Sequence, residues 1–249
     1  MPKYEALSYV WGVERNPDPV MIKSQQSEQT FVEVTKNLAT ALVYLRYATE
    51  PRLLWIDALC INQEDLEQRS SQVGRMVDIY YLADRVVVWL GPESEEDRST
   101  EAISTLCHIG SQIEIDWATA EMRVADQGDP SLVDLDVPLD LDQRQLDPVL
   151  KLLSRPWFER VWVQQEIAVA NDNTVLICGH DCIMRWLFIN AVFCLRLKPR
   201  VDKLDQESLW ANRLMLMKTM AFGVYRPSEL PYADTLREHT RSLKCSDPR

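Results

Sequence analysis

Residues 85–91 read RVVVWLG. Three valines, a tryptophan and a leucine follow one another with no polar alternation, and a glycine ends the run. A short, unbroken apolar run of this kind fits a strand covered on both faces. Three other runs share its character: YEALSYVW at 4–11, LLWID at 53–57 and TVLICG at 174–179. Between them the apolar spacing becomes helical. Asn37 is placed to cap a helix in which Leu38, Ala41, Leu42 and Leu45 recur at i, i+3, i+4 and i+7. Val73, Met76, Val77 and Tyr80 repeat that spacing, and a third helix is expected from about Ser99 to Ile115. Strand alternating with helix predicts an α/β fold, a parallel sheet with helices on both faces.

Outward from this frame, VMIKSQQSEQTFVEV at 20–34 reads as a side hairpin before the first helix. The stretch 116–147 is acidic, with three prolines between 130 and 148, and reads as a surface excursion with some helix and no core of its own. The helical period returns in LDPVLKLLSRPWFERVWVQQEIAVA, 146–170. From Met184 the chain reads as helical, first in RWLFINAVFCLRL and then in ESLWANRLMLMKTMAF. Residues 1–183 thus form the expected α/β domain with its two insertions. Residues 184–249 form a helical C-terminal extension, expected to belong to a longer chain.

Composition narrows the function. The chain has 249 residues, 46% of them hydrophobic, enough for a sizeable core. Its net charge of -11 argues against a nucleic-acid surface, which draws on Lys and Arg. The six cysteines are scattered and read as reduced thiols of a cytoplasmic protein. The start MPKYEALSYVWG has no secretory pattern. The longest apolar run, WLFINAVFCL, is far short of the ~20 residues that span a bilayer. Neither nucleic acid nor membrane is expected as a partner.

Ligands of open parallel sheets bind beyond the carboxyl ends of the strands. The first run delivers Ser8, Tyr9, Trp11 and Gly12 there. The second delivers Asp57, followed by Cys60; the third and fourth end at Gly91 and at Gly179 and His180. Trp11 either caps the core or offers a ring for stacking. Asp57 either caps the following turn or presents a charge to the rim. Gly12 either closes a turn or lets a ligand approach the backbone. Glu166 poses a sharper question. If Pro156 opens a helix, Phe158, Trp162, Glu166 and Ala170 fall on one face, flanked by Val163 and Ile167. A carboxylate on such a stripe is paired, protonated or turned to a cleft; the plain alternatives are a salt bridge to Arg160 or Arg155, or a stripe edge that stays wet. CGHDC at 178–182 lacks a second ligand pair, so no metal is expected. Seven glycines leave no room for a phosphate-cradling loop, and no Ser-His-Asp set can be picked.

Taken together, YEALSYVWG, LLWIDALCINQEDLEQRSSQVGRMVDIYYLADRVVVWLG and RPWFERVWVQQEIAVA resemble the three signature blocks of the fungal HET (heterokaryon incompatibility) domain. The resemblance runs from about residue 4 to 180, and WIDALCINQ is close to diagnostic. The family is associated with growth arrest and cell death when incompatible strains fuse. HET domains are in turn remotely similar to TIR domains, flavodoxin-like modules of innate immunity. EALSY resembles the first TIR strand, LLWID the second strand and its acidic end, and WVQQEI the pattern Trp, three residues, Glu, apolar. In TIR enzymes that cleave NAD this glutamate is catalytic, so the resemblance puts that role on Glu166. It implies that NAD is a substrate rather than a cofactor, that Ser8, Tyr9, Trp11, Gly12, Asp57, Cys60 and Trp162 line the substrate site, and that the domain self-associates. The hairpin at 20–34, the excursion at 116–147 and the segment Cys60 to Gln63 have no TIR counterpart. A non-catalytic, self-associating death-signalling module is the alternative.

Overall fold

The computed structural model describes residues 3–12, 18–23, 29–160 and 162–198. Its centre is a five-stranded sheet. In chain order the strands are β1 (Glu5–Ser8), the hairpin β2 (Asp18–Lys23) and β3 (Gln29–Val34), β4 (Leu54–Trp55), β5 (Arg85–Trp89), the hairpin β6 (Ile113–Asp116) and β7 (Glu121–Val124), β8 (Val175–Cys178) and β9 (Asp181–Met184). The helices are α1 (Lys36–Leu45), α2 (Asp57–Cys60), α3 (Leu66–Leu82), α4 (Ser99–Gly110), α5 (Gln143–Leu153), α6 (Val163–Ala168) and α7 (Arg185–Leu197). The central sheet runs β4-β1-β5-β8-β9. Its first four strands are parallel, and Ala6 lies between Trp55 and Val86. The four parallel strands take the order second-first-third-fourth, as in doubly wound flavodoxin-like sheets. The chain is therefore α/β, with one departure from the parallel expectation: β9 folds back antiparallel on β8, pairing Cys178 with Asp181 across a tight turn.

The unalternating strands are buried on both sides, as RVVVWLG required. Val86, Val88 and Leu90 pack with α3 to α7, while Val87 and Trp89 pack with α1 and Val34 of the hairpin. The acidic segment sends Leu132, Leu139 and Leu146 into the common core. The described part of the C-terminal extension does the same. α7 buries Phe188, Val192 and Leu195 in that core, and Trp117 of the β6–β7 turn lies edge-on to Phe193 at 5.5 Å. The run at 207–222 lies outside the described residues. Among the described residues no helix is long and apolar enough to cross a membrane.

Three local expectations are corrected. The α1 cap is Thr35, whose hydroxyl accepts from Leu38 N at 3.4 Å. Asn37 instead donates to Val10 O at 2.5 Å and accepts from Trp89 Nε1 at 3.2 Å, tying β1 to β5. The third helix stops at Gly110, and Ile113 and Ile115 leave it for β6, where the hairpin supplies backbone partners. The helix expected from Pro156 to Ala170 is broken. A 3-10 turn spans Pro156–Glu159, Arg160 is extended (φ -79, ψ 135), and α6 restarts at Val163.

Candidate functional site at the strand tips

The side-chain period of two decides what meets at the tip of β1. Leu7 and Tyr9 turn towards α1, while Ala6 and Ser8 turn towards α3 and α6. Ser8 is thereby buried under the 3-10 turn and α6. Trp157 Nε1 donates to Ser8 Oγ at 2.9 Å, and Ser8 Oγ donates to Glu166 Oε2 at 2.5 Å. One hydroxyl thus accepts a hydrogen bond from an indole and donates one to a carboxylate. Glu166 is only 2% exposed, so this bond is made where water does not compete and counts for more than at a surface. The break at Arg160 changes who holds Glu166. Phe158 stacks on Phe188 at 5.8 Å instead of extending the glutamate's face. Trp162, expected beneath it, contributes its carbonyl, which accepts from Glu166 N at 3.2 Å. The side-chain brace comes from Trp157 through Ser8.

A second pair sits at the tip of β4. Asp57, 3% exposed, opens α2. Its Oδ1 accepts from Ala58 N and its Oδ2 from Trp11 Nε1, both at 2.8 Å. Asp57 thus holds the amide of its own neighbour and the Trp11 indole at the end of β4, while the N-cap of α2 is Ile56. Trp11 uses its N–H as a tether across 46 residues. Gln63, in the segment without a TIR counterpart, donates to the carbonyls of Asp57 and Ile61 at 3.2 Å and closes α2. Cys60 ends α2 exposed, and among the described residues it is not brought onto the Ser8–Glu166 pair. Gly12 is exposed at φ +86, with nothing within 4 Å of where a Cβ would stand.

Tyr80 links the two pairs. Its hydroxyl donates to Leu7 O at 2.9 Å, and its ring meets Trp55 edge-on at 5.7 Å. Burial pushes its pKa well above 10.0; Glu166 and Asp57 push the same way, and Arg160 opposes them. Two carboxylates and one guanidinium therefore surround a phenol that stays protonated. Arg160 donates through Nη1 to the carbonyl of Tyr9. Ser8 with Glu166, on the α3 and α6 face, and Tyr9, Trp11 and Asp57, of which Tyr9 and Trp11 pack on the α1 face, are thus gathered at the tips of the neighbouring strands β1 and β4. Tyr80, read from sequence only as part of a helical face, and Trp157 and Gln63 are not among the expected site residues, although all three stand inside the quoted signature blocks. Gly179 and His180 belong to a separate group at the tips of β5 and β8. There Tyr44 Oη donates to Glu93 Oε1 at 3.0 Å, and the Tyr44 and His180 rings lie 4.7 Å apart. The hairpin period puts Cys178 and Cys182 of CGHDC on opposite faces, with Cys178 buried and Cys182 exposed.

Comparison with known proteins agrees with these blocks. The family model described as "Heterokaryon incompatibility protein (HET)" matches residues 4–166, which contain every strand-tip group named above up to Glu166. Heterokaryon incompatibility protein 6, OR allele, of Neurospora crassa is 30% identical over 276 aligned residues, covering 96% of this chain. The chain spans 39% of that relative's length. No solved structure matches it. The chain belongs to the heterokaryon incompatibility (HET) family.

Proposed function

We propose that this chain is a cell-death effector module of fungal heterokaryon incompatibility, and that it cleaves the nicotinamide–ribose bond of NAD through Glu166. The observation that carries the proposal is the 2.5 Å bond from Ser8 Oγ to Glu166 Oε2 at the tip of β1. That tip is where the strand order reverses, and open α/β sheets take their ligands at such a point. The likeness of WVQQEI to the TIR pattern supports the same residue.

The chemistry suits a carboxylate. Nicotinamide is a pyridinium cation in the substrate and departs neutral with the bonding electron pair, so departure needs no proton donor. Positive charge moves to the ribose as an oxocarbenium-like centre, which water then captures with loss of one proton. A carboxylate beside that centre stabilises it more than the ground state. Ser8 holds Glu166 in one orientation. Because Glu166 is nearly buried, substrate reaches it only when neighbouring side chains give way.

The test is release of nicotinamide from NAD by the purified chain, with and without a crowding agent. Glu166→Gln keeps the shape and removes the charge. It is expected to retain the folded circular dichroism spectrum and lose turnover by at least about 100-fold, the scale on which single charge-stabilising groups act. Full turnover by the folded variant would overturn the assignment. The burial of Glu166 favours a second reading, in which the module is non-catalytic and acts by self-association. It predicts no nicotinamide under any condition, and cell death that surface mutations abolish while Glu166→Gln does not.

A further inference from the structure

We propose that Arg160, together with the indole N–H of Trp162, binds the phosphate oxygens of a phosphorylated ligand at the tip of β1. In its dinucleotide form, with the pyrophosphate of NAD as the bound group, this rests on the function proposed above. The cation site itself stands on its own geometry.

Arg160 is the extended residue between the 3-10 turn and α6, and its Nη1 hydrogen bond to Tyr9 O pins the guanidinium just beyond β1. Its charge is balanced unlike that of the other arginines of the core. Arg52 and Arg85 share the two oxygens of Glu5, and Arg185 pairs with Asp172. Arg155 reaches Asp97 at 4.0 Å while its Nη1 donates to Leu90 O and Pro92 O. Among the described residues Arg160 makes no ion pair, and its one hydrogen-bond acceptor is a neutral carbonyl. Its Nη2 is shielded from water with no acceptor, and so is Trp162 Nε1, two residues on. Each buried donor without a partner is costly, and native structures keep few of them. The two donors stand two residues apart in the chain, one of them on the cation itself, and a single group carrying several anionic oxygens can match both. Phosphate is that group, and a guanidinium engages it in forked fashion.

The surroundings support a ligand from outside. Gly12, exposed and left-handed at φ +86, has open space where a side chain would stand, so a phosphate can approach the backbone there. The chain's net charge of -11 repels an anion from most of the surface. Arg160 is the cation at this strand tip, where it stands with the carboxylates of Glu166 and Asp57 around Tyr80. With Arg160 on the phosphates and Glu166, six residues on in α6, on the sugar, the two residues divide a dinucleotide between recognition and chemistry.

The experiment is calorimetric titration of the purified chain with ADP, inorganic pyrophosphate and adenosine, none of which carries nicotinamide. ADP and pyrophosphate are expected to bind, and adenosine at least about tenfold more weakly. Arg160→Gln is expected to weaken ADP by at least about tenfold, and Arg160→Lys by less, since it keeps the charge and loses the fork. Trp162→Phe keeps the ring, removes only the N–H, and is expected to weaken ADP several-fold. Thermal melts establish that each variant is folded, and if Arg160→Gln is not, Trp162→Phe decides. Unchanged ADP affinity in the folded variants overturns the proposal, as does equal affinity of the parent for ADP and adenosine, or binding of neither. If NAD is not cleaved but Arg160→Gln loses ADP, only the catalytic assignment of Glu166 falls. If NAD is cleaved and ADP binding ignores Arg160, only the phosphate site falls.

Discussion

Ser8 Oγ and Glu166 Oε2 stand 2.5 Å apart although 158 residues separate them. The bond joins the first strand of the sheet to the last short helix before β8, and Trp157 closes it from the other side at 2.9 Å. Ser8→Ala leaves a buried indole N–H and a buried carboxylate short of one partner each. The expected loss is on the order of 2–4 kcal/mol in urea unfolding, since each abandoned buried group costs about 1–3 kcal/mol. A loss below about 0.5 kcal/mol would mean that water fills the serine's place.

Trp157 separates packing from hydrogen bonding. Trp157→Phe removes the indole donor and keeps most of the ring's burial, with an expected cost of about 1 kcal/mol. Trp157→Ala opens a cavity and is expected to cost about 3–5 kcal/mol. Equal costs for the two would show that the hydrogen bond to Ser8, rather than the ring, carries the stability.

The Trp11–Asp57 tether is measured by a double-mutant cycle of Trp11→Phe and Asp57→Ala. A charge-assisted bond at 2.8 Å in a half-buried setting predicts a coupling of about 1–2 kcal/mol. Additive costs would mean that the two side chains stabilise their own strands independently.

Gly110 sets how closely α4 and α7 approach. A Cβ there would lie 2.1 Å from Leu187 O and 2.8 Å from its carbonyl carbon, so backbone rather than a flexible side chain must yield. Helix propensity alone makes Gly→Ala favourable by up to about 1 kcal/mol. The overpacking term is larger, and Gly110→Ala is expected to destabilise by about 1–3 kcal/mol in thermal or urea unfolding. Stabilisation would show that α7 shifts freely.

Burial pushes the Cys194 thiol from 9.0 up to about 11. The folded chain therefore holds this proton over a range where the unfolded chain has lost it, so the unfolded state binds fewer protons and stability falls as pH rises. The contribution is whole below about pH 9 and gone above about 11. Cys194→Ala is expected to be less stable at neutral pH because of the cavity, yet to show a flatter decline between pH 9 and 11. A slope identical to the parent's counts against the burial. The same contrast orders alkylation near neutral pH. Among the described cysteines, mass spectrometry is expected to find Cys60 and Cys182, which are exposed, modified first and Cys178 and Cys194, which are buried, protected.

The sequence alone determined the sheet's ingredients and which residues reach its rim. A strand buried on both faces must be apolar at consecutive positions, and a helix against it must be apolar at every third or fourth, so RVVVWLG and the pattern of Met76 and Tyr80 declare themselves locally. Ser8, Trp11 and Asp57 followed from the strand ends, and Glu166 from its place beside apolar neighbours. Only the tertiary structure decided the pairings. Whether Asn37 caps α1 or bridges Val10 and Trp89 depends on a strand 52 residues away. The break at Arg160, whose guanidinium meets the Tyr9 carbonyl 151 residues away, has no counterpart in the local spacing. The antiparallel turn of β9 follows from an edge that β8 would otherwise expose. Local spacing carries periodicity, whereas a hydrogen bond across the fold has no period, and so the serine between tryptophan and glutamate could be seen only once the chain was closed on itself.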